Sequence, residues 1–334
     1  MKSNTRNIFE QSLLRPDVVE YYNSIDRAEL EKTFSPSVSR LVGFEQDNPH
    51  HCYDLWNHTL HTVKGIPEDK LDDEDIVKLK VAAFFHDVGK PEVYAINPNT
   101  GRHSFHGHTA KSVIISRPIL EKLGYSSEEI PELLFYIGHH DDLMNYHEFK
   151  APENHVSLRK TSIESFAEKI IENSFDFRQM GYDDKQIRYI CYFLAHNGKK
   201  PDFKNENISV NMDEVIEKIA SGNYPANFSA TLKNYRNLTQ LCLADTSAQA
   251  DKVYIRGKLQ TTKTEKLNNI YAVERILDKA YEHASNSIDS VLLSYQISKA
   301  ESEKSSLSHK LGKASDLFKE FKKQCVISKK QEEI

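Results

Sequence analysis

Histidine sets the chemistry open to this chain. There are 15, and most fall between His50 and His147, interleaved with Asp87, Asp141 and Asp142. Imidazole and carboxylate together are what a metal site of mixed nitrogen and oxygen ligands requires. In Phe84-Phe85-His86-Asp87-Val88-Gly89-Lys90-Pro91 a His-Asp pair closes an apolar helix. Adjacent helical residues diverge by about 100°, so a break at Gly89 and Pro91 helps both turn toward one ion, and Lys90 is placed to meet a phosphate oxygen. His58 and His61 are three apart and share a helical face; one can be a ligand and the other can face substrate, although His61 taken alone reads more simply as structural. Phe105-His106-Gly107-His108 adds two imidazoles around a glycine that allows close backbone approach. Gly138-His139-His140-Asp141 ends a helix, where the helix dipole accounts for one of the two histidines. Asp245 lies in the apolar run Leu241–Ala248. A buried lone carboxylate is costly unless paired or metal-bound, which favours a ligand role.

The elements that must hold these groups read as helices. Glycine (12) and proline (11) are scarce in 334 residues, strand-like alternation is rare, and apolar residues recur at i, i+3, i+4. Two or three short helices are expected over 1–47. Helices are expected over 52–64, with Leu55, Thr59 and Val63 on one face, and over 73–87, capped by Asp72 or Asp73. The turn Pro98-Asn99-Thr100-Gly101 could carry a small hairpin. Further helices are expected at about 107–123, 127–139 (with Ser126 or Ser127 and Glu129 at its start), 161–180, 183–196, 211–220, 228–250 and 265–295. Gly124-Tyr125 with His139 is echoed by Gly181-Tyr182 with His196, at a constant offset, as a duplicated hairpin or a chance likeness of two amphipathic helices would give.

The string Leu55-Trp56-Asn57-His58-Thr59-Leu60, then Phe85-His86-Asp87-Val88-Gly89-Lys90-Pro91, Phe105-His106-Gly107-His108, His139-His140 and finally Ala244-Asp245 before Ala248 resembles the HD-domain superfamily of metal-dependent phosphohydrolases. It is most similar to the HD module attached to bacterial tRNA nucleotidyltransferases and poly(A) polymerases. The likeness covers about residues 50–148, with an anchor again at 235–250. It implies an all-α helical bundle in which His58, His86, Asp87 and Asp245 hold a first metal. His108 and one of His139 or His140 match positions that hold a second metal, and Lys90 matches a residue that faces the substrate phosphate. The implied reaction is hydrolysis of a nucleotide or RNA-terminal phosphate ester, 2′,3′-cyclic phosphates included. In it Asp87 would orient or bridge, and His61, His106 or His140 would pass a proton to the leaving oxygen. The ligand set suits Mn, Fe, Co, Ni or Zn, and Mg more weakly, as one ion or two. Two departures stand out. Residues 1–47 are too few for a nucleotidyltransferase head and carry no Gly-Ser…Asp-x-Asp pattern, and roughly a hundred residues separate His140 from Asp245.

Three parts are expected on this reading: a helical extension over 1–47, a phosphohydrolase domain over 48–260 with a helical insertion at about 150–230, and a Lys-rich helical tail over 261–334. A net charge of −5 offers no global field for nucleic acid, so an RNA contact would need a local patch such as Lys304–Lys330. The same pocket with that basic tail could instead make a non-catalytic nucleotide or RNA binder. Four cysteines without a CxxC pair read as buried free thiols of a reducing compartment. With no apolar leader and no run long enough to span a membrane, a cytoplasmic location is expected. Exposed C-terminal helices could pair two copies, and no protein partner is identifiable.

Overall fold

A computed structural model describes residues 4–96, 101, 103–143, 163–202, 208–255 and 257–331, with side chains followed to residue 305. In chain order the helices are α1 (Asn4–Leu13), α2 (Val18–Asn23), α3 (Arg27–Thr33), α4 (Pro36–Ser39), α5 (Leu55–Lys64), α6 (Asp73–Phe85) and α7 (Lys90–Val93). A two-stranded hairpin, β1 (Ala95–Ile96) and β2 (His103–Ser104), precedes α8 (His108–Leu123), α9 (Ile130–His139), α10 (Ile163–Ser174), α11 (Asp184–Ala195), α12 (Met212–Ala220) and α13 (Phe228–Ser247). A second hairpin, β3 (Lys252–Ile255) and β4 (Lys258–Thr262), leads into α14 (Lys263–Gln331). The fold is helical, as the apolar spacing implies. The expected turn at Pro98–Gly101 lies almost wholly outside the described residues, with β1 and β2 on either side of it. The second hairpin departs from the helical reading. Val253, Tyr254 and Ile255 before Gly257 (φ +75) carry its signal, but the stretch is too short to show alternation.

The chain divides into two compact units, residues 1–166 with 228–281 and residues 167–227 with 282–334. The first contains the histidine-rich segments. Its central element is α6, in which Ile76, Leu79, Val81, Ala82, Ala83, Phe84 and Phe85 are all buried, as befits a helix whose last turn and a half, Val81–Phe85, is apolar on every side. Asp72 caps it by accepting from Asp75 N at 2.8 Å. Phe84 is surrounded by the rings of Phe9, Tyr22, Phe34 and Trp56, with centroids 5.1–5.7 Å away. Residues 1–47 therefore supply core to this unit, and their aromatics wedge the α6 C-terminus in place. Leu55, Thr59 and Val63 are fully buried on α5. Arg6 binds Glu129 with both terminal guanidinium nitrogens, at 2.9 and 2.6 Å, while Glu10 accepts from Arg6 Nε and from Tyr125 Oη. The start of α1 is thus tied to the turn before α9. In that turn Ser126 and Glu129 cap one another's backbone N–H groups.

The second unit buries Ile170, Ile171, Phe175 and Phe177, Ile187, Ile190 and Leu194 of α11, Val215 and Ile216 of α12, and Ala284, Ile288 and Val291 of α14. Asp183 and Gln186 form a capping box at the start of α11. Gly124 and Gly181, the paired glycines of the sequence echo, share a left-handed φ of +96°. Cys191 and Cys242 are buried free thiols, whereas Cys52 is exposed because it sits in the irregular stretch before α5. Cys325 falls beyond the described side chains. Among the described residues no helix is long and apolar enough to cross a membrane.

Candidate metal centre

Helix ends bring the site together. His86 stands at the C-terminus of α6, His140 at the C-terminus of α9, and His108 at the first residue of α8 behind Gly107, whose φ is +79°. Each points its ring Nδ1 at the carbonyl three residues back: Ala83 O at 2.7 Å, Ile137 O at 2.8 Å and Phe105 O at 3.0 Å. At a helix C-terminus such carbonyls have lost their intrahelical partner. His58, within α5, has no such carbonyl of its own, and its Nδ1 faces Ala248 O at 3.4 Å, just beyond α13. A carbonyl only accepts, so in all four rings Nδ1 donates and Nε2 is left to face inward. Metal-ligating imidazoles are oriented in the same way, by a hydrogen bond from the ring nitrogen that does not touch the ion.

The four Nε2 atoms surround Asp87. Its Oδ2 lies 3.1 Å from His86 Nε2 and 3.5 Å from His58 Nε2, while its Oδ1 lies 3.3 Å from His108 Nε2 and 3.5 Å from His140 Nε2. Asp245 Oδ1 closes the first group at 3.0 Å from His58 Nε2 and 4.0 Å from His86 Nε2. Asp141 closes the second, with its carboxylate 3.2 Å from His108 Nε2 and 3.8 Å from His140 Nε2. Ligand atoms of His58, His86 and Asp245, of His86, Asp87 and His140, and of His108, His140 and Asp141 each lie within 4.8 Å of one another.

The donor chemistry fits a cation. His58 Nε2, His86 Nε2 and Asp87 Oδ1 are buried without a hydrogen bond of good geometry, and such orphaned groups are costly unless a bound ion or water satisfies them. The Nε2 atoms of His108 and His140, only 3.2 Å apart, likewise call for a proton or an ion between them. Electrostatics point the same way. Burial opposes charge on His58 and His140, yet the facing carboxylates outweigh it and push both up to about 9. Burial also opposes charge on Asp87, yet His86, Lys90, His108 and His140 hold its carboxyl well below the usual range.

Lys90 is buried against this centre, 2.7 Å from Asp87 Oδ2 and 3.0 Å from Gln46 Oε1, with its ammonium over the Phe105 ring. Its position is set by Gly89, whose missing Cβ would fall 2.5 Å from Ser112 N and 2.6 Å from His108 O. A cleft of about 720 Å³ opens over the cluster and is lined also by His50, His51, His106, Gln249, Thr261 and Lys266.

The structure thus brings His58, His86, Asp87, His108, His140 and Asp245 together, and places Lys90 beside them. Of the other three expected residues, it leaves His61 and His139 outside the centre and puts His106 only at the edge of the cleft. Of the pair His139-His140, His139 turns away to bond Asp142 at 2.9 Å and to lean on Phe135, since consecutive residues at a helix end diverge. His61 stacks on Tyr53 with centroids 4.4 Å apart and does not line the cleft. His106 is exposed on the cleft rim, among its lining residues. Asp141 figures in the sequence only as a carboxylate near the histidines, and its place directly after His139-His140 is the available signal. His51 is visible in the sequence only as one member of the histidine-rich stretch, and Gln46, Gln249 and Lys266 carry no readable signal, because only tertiary packing brings them here.

Residues 51–169 match the HD domain family model. The chain is 30% identical over 152 residues to the CC-adding tRNA nucleotidyltransferase of Thermus thermophilus, which is 44% of this chain and 32% of that protein. It is 32% identical over 113 residues to the A-adding tRNA nucleotidyltransferase of Deinococcus radiodurans, 34% of this chain and 25% of that protein. The matched stretches therefore span a third or less of either relative.

Proposed function

We propose that this chain, whose residues 51–169 match the HD domain family model, is a metal-dependent phosphohydrolase acting on a nucleotide or RNA-terminal phosphate ester, either a monoester or a 2′,3′-cyclic or other diester. One observation carries the reading. Four imidazoles, each with Nδ1 tied to a backbone carbonyl, aim Nε2 at the two oxygens of one buried carboxylate, Asp87. His58, His86, Asp87 and Asp245 would hold one ion, and His108, His140, Asp87 and Asp141 a second. A divalent ion bound there supplies Lewis-acid polarisation of a phosphoryl oxygen and a water acidic enough to attack at neutral pH.

The chain's own groups do the rest. Asp87 orients both halves of the centre. Lys90, locked 2.7 Å from Asp87, keeps a positive charge where negative charge grows on the phosphoryl oxygens. His106, exposed at the rim, is free to reach a leaving oxygen and hand it a proton. Burial of His51, whose ring edge meets His58 at 5.0 Å, keeps that wall of the cleft neutral, because burial holds its pKa well below the ordinary value. Relatives named for tRNA favour RNA ends among the substrates.

Metal analysis and a panel of phosphomonoester, phosphodiester, 2′,3′-cyclic nucleotides and nucleoside triphosphates test the proposal. Asp87→Ala should lose bound metal and at least about a hundredfold of turnover with an unchanged circular dichroism spectrum. A purely nucleotide- or RNA-binding module would instead bind these ligands without metal and without turnover.

A further inference from the structure

Lys266 is the lysine of the cleft wall that the metal centre does not employ. It lies in the first turn of α14, and its ammonium is 2.7 Å from Gln249 Oε1 and 3.0 Å from His50 Nδ1. Both partners are neutral acceptors, since a ring nitrogen that accepts from an ammonium carries no proton. The cleft's other lysine, Lys90, is matched by Asp87, and Lys263 on the same turn of α14 is matched by Asp251 at 2.9 Å. Lys266 is half-buried, and burial pulls its pKa below the ordinary lysine value against the distant attraction of Asp245. A partly desolvated cation with neutral partners gains from an arriving anion.

Gln249 links this cation to the metal centre. Its carboxamide is buried, accepts from Lys266 through Oε1 and donates from Nε2 to Asp245 Oδ1 at 3.4 Å. Lys266 therefore stands one carboxamide away from a ligand of the first ion group, on the same open cleft. We propose that Lys266, held by Gln249 and His50, is an anion subsite for a second phosphate of the substrate, one other than the phosphate at Asp87. The substrate class is then a molecule with two phosphates in reach, as a nucleoside polyphosphate or an RNA end with its adjoining backbone phosphate provides. This inference rests on the phosphohydrolase reading of the centre.

Calorimetry on the full chain loaded with Mn(II) tests it. Adenosine 5′-diphosphate presents adjacent phosphates, adenosine 3′,5′-bisphosphate presents them across the ribose, and adenosine 3′- and 5′-monophosphates are the controls. The wild type should bind one of the two doubly phosphorylated ligands about tenfold or more tighter than the monophosphates, the worth of one charge-assisted contact. The preferred ligand tells the polyphosphate source from the backbone source. Lys266→Ala should erase that preference, and Lys266→Arg should keep most of it. Lys266→Met retains the packed side-chain stem and should behave as the alanine variant does, which covers any loosening of α14. Equal weakening of single and double phosphates in Lys266→Ala and Lys266→Met, or no preference in the wild type, would overturn the subsite. Failure of the phosphohydrolase reading shows separately, as absence of metal-dependent turnover in the wild type.

Discussion

At the scale of single residues, Asp87 is the pivot. Its two oxygens face two imidazole pairs, so the first group keeps His58, His86 and Asp245 when the second is damaged. Wild-type protein should therefore bind two divalent ions per chain, and His108→Ala should bind one, as counted by elemental analysis after gel filtration. A wild-type content of one ion would show that Asp87 does not bridge. His139→Ala should leave the count unchanged, because that ring is engaged with Asp142 and Phe135 outside the cluster.

Between elements, Gly89 packs directly against the first turn of α8. Gly89 has an ordinary φ of −82°, so the demand for glycine there comes from packing against His108 O and Ser112 N. Gly89→Ala should force the turn carrying Asp87 and Lys90 away from His108. We expect a loss of about 1–3 kcal/mol of stability by denaturant titration, together with weaker metal binding. A second contact between elements answers to pH. The hydrogen bonds from Arg6 hold Glu129 down from 4.5 to about 2. A carboxyl whose folded pKa is depressed stabilises above its unfolded pKa, and that stability is lost as pH falls through the folded value. The stability gap between wild type and Glu129→Gln should thus be full above about pH 4.5 and shrink toward zero near pH 2. Because Glu129 is partly exposed the gap is small, and a gap that widened on acidification would contradict the assignment.

Over the whole molecule, the two units should answer to metal differently. All candidate ligand residues lie in the unit formed by 1–166 and 228–281, so a cation held by the proposed centre would stabilise that unit by mass action. At a hundredfold excess over Kd the gain is about 2.7 kcal/mol, which for a unit of this size raises the melting midpoint by several degrees. Calorimetric scans with and without chelator should move the transition of the first unit and leave that of the second in place. A shift of both together would show that they unfold as one.

The sequence by itself determined that the chain is helical and which residue types could hold a metal, because both are local signals. The 3.6-residue spacing of apolar side chains and the strings around His58, His86-Asp87, His108, His140 and Asp245 are readable without a partner. Tertiary structure alone decided which imidazole of a pair faces inward, that Asp141 joins the second group, that Gln46 holds Lys90, and that Lys266 reaches the cleft. Those outcomes depend on how helix ends separated by many residues are angled against one another. That angle is set by the aromatic packing around Phe84 and by the missing Cβ of Gly89, neither of which leaves a periodic trace along the chain.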